Sequence, residues 1–110
     1  MTIFAVNKIK MFSYTRANIN KLTEIFNESG YIVRFERGNF KSGYALVKNR
    51  KIIVINKFFD IEARINAMLE IMDIIQLDQH ILTKKSKRFY RFLVKNGLVL
   101  GIGLAKNEEE

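Results

Sequence analysis

Glu70 and Asp73 stand three apart in the stretch NAMLEIMD (66–73), so a helix there places both carboxylates on one face. Two such acids divide acid and base roles when their surroundings push their pKa values apart. They can also contribute to a metal site. A catalytic zinc, however, needs three protein ligands and an open position for water. The only histidine, His80, lies well downstream of Asp73, and no third ligand has a defined position. Cysteine is absent, which removes disulfides, thiolate nucleophiles and Cys-based zinc or iron–sulfur sites. No nucleophile motif stands beside His80, and Gly101-Ile102-Gly103 is too short for a dinucleotide fingerprint. Because the rest of the helix carries an apolar stripe, both acids are expected to be ionised and solvated. The expectation is a protein that is not an enzyme, with no catalytic, cofactor-binding or metal-binding residues and no cofactor.

Charge points to partners instead. The chain of 110 residues carries 19 basic and 11 acidic side chains, a net charge of +8, and three of the acids are the terminal Glu108, Glu109 and Glu110. KKSKRFYRFLVK (84–95) has six basic residues and no acid. Lys84, Arg88, Arg91 and Lys95 form one helical stripe, with Lys85 and Lys87 beside it. Phe89, Phe92 and Leu93 form a neighbouring apolar face, expected to pack on the core. A second basic cluster runs from Arg34 to Lys57 and includes Arg50 and Lys51 at a hairpin tip. The residues expected to contact an anion or a nucleic acid are Lys84, Lys87, Arg88, Arg91, Lys95, Arg50 and Lys51. Such surfaces suit a phosphate backbone or an acidic protein. No helix-turn-helix spacing, RNA-binding aromatic motif or zinc finger accompanies them, so base-specific readout has no support.

The elements that must position these residues follow from periodicity. Ile19, Leu22 and Phe26 predict a helix from about Thr15 to Ser29, stopped at Gly30. YIVRFER (31–37) alternates as a strand. Tyr44–Val47 and Lys51–Asn56 predict a hairpin turning near Asn49-Arg50, and Ile52 to Ile55 are apolar on both faces, as in a central, covered strand. Asp60 is a natural N-cap for a helix whose stripe is Ile61, Ile65, Met68, Met72 and Ile75. Ser86 is expected to cap a last helix ending at Asn96-Gly97, and LVLGIGLA (98–105) reads as a short strand or an extended tail. Residues 1–12 and 76–83 fit more than one element. The predicted fold is α+β: a small antiparallel sheet of about three strands flanked by helices, in the order α-β-β-β-α-α, as one domain over 1–107 with an acidic tail at 108–110. MTIFAVNKIK lacks the order of an export signal and the nine-residue stretch from Gly97 to Ala105 cannot span a bilayer, so the expectation is a cytoplasmic protein without a membrane span.

Gly43 to Asp73 resembles the N-terminal part of the ImmA/IrrE type of zinc metallopeptidase. In that family a helix precedes a small sheet, an apolar strand ends in Asn, and the next helix carries HExxH. Here Ile53-Val54-Ile55-Asn56 matches the strand, Arg64 falls where the family commonly has Arg, and Glu70 corresponds to the general base. Leu69 and Asp73 stand where the two histidines belong. The chain is similar, too, to short bacterial proteins that keep this core without the peptidase ligands. The resemblance implies the fold without the activity, and thus a small binding or regulatory protein. Non-sequence-specific nucleic-acid binding through 84–95 is the alternative, and a divergent hydrolase using Glu70 and Asp73 the third.

Overall fold

The computed structural model describes residues 12–101. Its elements are α1 (Arg16–Glu28), β1 (Ile32–Glu36), β2 (Gly43–Val47), β3 (Arg50–Asn56), α2 (Ile61–Ile74), a 3-10 turn (Gln79–Ile81) and α3 (Lys84–Lys95). The order α-β-β-β-α-α and the α+β class are those expected. The readings placed on residues 1–11 and on the tail at 108–110 lie outside the described residues. No helix among the described residues is long and apolar enough to cross a membrane.

The sheet is mixed, not wholly antiparallel. Its order is β1-β3-β2, with β3 parallel to β1 and antiparallel to β2. The cause is the segment after β1, which crosses the end of β3 before the hairpin returns. β3, the strand with apolar residues on both faces, thereby takes the centre. Ile53 and Ile55 enter the core on the helix side. On the opposite face Ile52 is buried and Val54 half-buried, while Ile32 and Val47 at the flanks are exposed. The hairpin turns at Lys48-Asn49, both at positive φ, so β3 begins at Arg50, one residue earlier than expected. Two consecutive positive φ values are what the right-handed twist of paired strands requires of a two-residue turn.

Helix ends follow local chemistry. Thr15 caps α1 and Asp60 caps α2, each accepting a backbone N–H three residues on. Tyr31 N–H donates to the Phe26 carbonyl and Gly30 N–H to the Asn27 carbonyl, a Schellman stop with Gly30 at φ 90°. α3 ends the same way, Leu98 N–H reaching the Leu93 carbonyl and Gly97 N–H the Val94 carbonyl. The N-cap of α3 is Thr83, not Ser86; Ser86 is buried one turn into the helix and donates to Glu28. The segment after α3, as far as it is described, is neither helix nor strand.

The core gathers Ile19, Leu22, Ile25 and Phe26 of α1, Ile65, Met68, Leu69, Ile71 and Met72 of α2, and Tyr90 and Leu93 of α3. The buried stripe of α2 is wider than the expected one, because α1 and the sheet cover it from two sides. On α3 the buried positions are Ser86, Tyr90 and Leu93, while Phe89 and Phe92 are only half-buried. The expected apolar face is thus rotated, and two phenylalanines stand at the helix border.

Candidate functional site

A concavity of about 740 Å³ lies between the β1–β2 crossover, the start of β2 and one side of α2. Its shape depends on Asn56, which is 1% exposed at the end of β3. The Asn56 side-chain amide donates to the Gly38 and Phe40 carbonyls at 2.8 and 2.7 Å, and its oxygen accepts from Phe58 N–H at 3.1 Å. The Asn56 backbone N–H donates to Ser42 Oγ at 2.8 Å. One buried residue thus pins the crossover on one side of the cleft and the Lys57-Phe58-Phe59 turn on the other. Arg64 completes the clamp, donating to the Phe59 carbonyl at 2.7 Å and the Lys57 carbonyl at 3.2 Å.

Around this frame the walls are apolar and the rim is charged. Tyr44, Phe59 and Ile74 line the cleft and are 46%, 47% and 64% exposed. Lys41, Arg64 and Glu70 bring charge of both signs. Among the described residues β2 is an edge strand, since β3 pairs with only one of its sides, and its first residues, Gly43 and Tyr44, line the cleft. The pair flanking a two-residue turn is hydrogen-bonded and such pairs alternate along an antiparallel ladder. Val47, Ala45 and Gly43 therefore bond to β3, which turns the backbone N–H and C=O of Tyr44 and Leu46 outward.

The two acids that invite a catalytic reading are separated in role. Glu70 is exposed on the cleft wall. Asp73 is half-buried and both its oxygens lie 2.9 Å from Leu100 N–H, so it holds the chain after α3 instead of facing water freely. That corrects the expectation of two solvated charges. Leu69, which the resemblance sets against a histidine, is a core residue. His80 is exposed in the 3-10 turn, with Nδ1 3.3 Å from the Asp78 carboxylate. Among the described residues no three His, Cys, Asp or Glu side chains come together as a metal site would need.

The expected anion-binding residues fall into two places. Lys84, Arg88, Arg91 and Lys95 are exposed on α3 and Lys87 is half-buried. Arg91 has a structural engagement as well, its Nε donating to the buried Gln79 at 3.0 Å. Arg50 and Lys51 open β3, and Lys51 lies 5.4 Å above the Tyr31 ring. Burial, with some contribution from Tyr44, raises the Tyr31 hydroxyl above its ordinary pKa. α3 itself packs on α1 and the 3-10 turn. There Lys21 lies 5.3 Å above Phe89, a neighbour that no local pattern in α3 indicates. The cleft beside β2 also escapes the periodicity, since it joins residues from 39 to 74.

No protein-family model, curated protein or solved structure matches this chain.

Proposed function

We propose that this chain is a non-catalytic binding module, built on an ImmA/IrrE-like core, whose cleft takes an extended peptide segment of a partner protein. The observation that carries the reading is the edge of β2, unpaired among the described residues, beside a cleft of about 740 Å³. An edge strand offers a row of free backbone donors and acceptors, and an added strand satisfies them while its alternate side chains enter the adjoining groove. Tyr44 and Leu46 supply both the outward backbone groups and apolar side chains, Leu46 being 62% exposed. Lys41 and Glu70 would select charge in the segment that binds. Support for the ImmA/IrrE-like core comes from the helix, sheet and helix in that order, with Asn56 closing the apolar strand and Arg64 and Glu70 on the next helix. The loss of both histidine positions, one to the core and one to a bond with Leu100 N–H, favours binding over peptide cleavage.

A displayed library of extended peptides, followed by NMR titration of the labelled protein, tests this. The expected result is selection of peptides that shift and protect the Tyr44 and Leu46 amides. Leu46→Pro, which removes an outward N–H, is expected to abolish binding while leaving the fold intact by circular dichroism. Selected peptides that bind Leu46→Pro as well as wild type would refute the edge-strand mode. Cleavage of those peptides by the protein would refute the non-catalytic reading.

A further inference from the structure

A second concavity of about 340 Å³ lies on another part of the molecule, between α1 and α3. It is lined by Phe89 and Phe92 together with Lys21, Lys85 and Arg88, against one acid, Glu24. The two rings lie nearly parallel, at 15°, with centroids 6.2 Å apart. They present flat surfaces of the same orientation at the border of the helix, both half-buried. Lys21 rises over Phe89 from α1, while Lys85 and Arg88 follow each other along α3 at about 4.5 Å of axial rise. Lys84 and Lys95 are exposed on the same helix, and no acid interrupts the chain from 84 to 95.

We propose that the α1–α3 groove binds single-stranded nucleic acid, with a base on the Phe89–Phe92 surface displacing the exposed Lys21 ammonium from the Phe89 ring, and backbone phosphates at Lys21, Lys85 and Arg88. Charge complementarity commits the site to an anion, because three cations face one carboxylate. The aligned rings favour a flat aromatic group over the irregular apolar knobs of an acidic helix. Stacked bases and a basic track together form the usual platform for unpaired strands, tolerant of sequence because every base has a π-face. This site includes Lys21, Lys85 and the two phenylalanines, and it does not require the hairpin cations Arg50 and Lys51. It is independent of the peptide cleft beside β2.

The test is fluorescence anisotropy with a labelled oligothymidylate of about 12 nucleotides and a duplex of equal length, at about 50 and about 200 mM salt. The single strand is expected to bind more tightly than the duplex and to weaken with salt. Phe89→Leu keeps an apolar side chain but removes the ring face, and is expected to lower affinity about 10-fold. The double variant Lys85→Gln/Arg88→Gln is expected to reduce the slope of log affinity against log salt by about 1.4. Leu46→Pro should bind the oligonucleotide as wild type does, which separates this site from the cleft. Absence of binding at the lower salt, equal affinity in both groove variants, or a duplex bound as tightly as the single strand would overturn the proposal. So would an acidic peptide that displaces the oligonucleotide at lower concentration than unlabelled oligothymidylate.

Discussion

Asn56 illustrates how a single polar residue shapes this molecule. Its side chain, 1% exposed, makes three hydrogen bonds, so removing it takes the partner from the Gly38 and Phe40 carbonyls and the Phe58 N–H. Each lost bond is worth about 1 kcal/mol and an unsatisfied buried partner costs more. Asn56→Ala is therefore expected to destabilise the protein by about 2–4 kcal/mol in urea unfolding and to open the cleft; a loss below about 1 kcal/mol would mean that the crossover holds without it. Gln76 presents the opposite case. It sits just past α2 at φ 51°, a conformation disfavoured for any side chain with a Cβ. Gln76→Gly is expected to raise stability by about 1 kcal/mol, read as a higher urea midpoint, and an unchanged or lower midpoint would contradict this.

At the level of elements, α3 is fastened by a residue from another helix. Its first turn holds Lys84, Lys85 and Lys87 and no acid, an unfavourable arrangement at the positive end of a helix. Glu28, the last residue of α1, supplies the missing carboxylate. It accepts from Thr83 N–H at 2.8 Å, from Thr83 Oγ at 3.1 Å and from Ser86 Oγ at 2.8 Å. Burial pushes the Glu28 pKa upward, but these hydrogen bonds outweigh it and leave the group below its ordinary value. A carboxylate lowered on folding contributes stability above its unfolded pKa and loses it as pH falls through the folded value. Glu28→Gln is thus expected to cost about 1 kcal/mol near neutrality, and to flatten the decline in stability between about pH 5 and about pH 3. Urea midpoints across that range measure both effects, and parallel curves for the two proteins would rule the carboxylate out as the cause.

Across the whole molecule the positive charge opposes compaction. A net charge of +8 on 110 residues creates self-repulsion that salt screens. The melting temperature is expected to rise by a few degrees between about 50 and about 200 mM sodium chloride, in calorimetry, before any ligand is added. A fall over that range would show that attractive pairs dominate. The same field attracts polyanions, so the peptide cleft and the α1–α3 groove are predicted to differ in salt response. Pairing along β2 depends on backbone bonds, whereas the groove depends on phosphate neutralisation.

Much of the fold was legible locally. The spacing of Ile19, Leu22 and Phe26, the apolar run 52–55, the Asp60 cap and Gly30 each act within a turn or a strand, and each lies where that reading puts it. What the sequence determined by itself was therefore the identity and order of the elements, because periodicity, capping and turn chemistry are short-range. Only the tertiary structure decided that β1 runs parallel to β3, that Thr83 and not Ser86 caps α3 with help from Glu28, and that Asp73 is held by Leu100. It alone put Phe89 and Phe92 at the border of the core, with Lys21 over the Phe89 ring. These outcomes depend on residues far apart in the chain, whose meeting follows from how helices and sheet share one core, and no local pattern encodes that geometry.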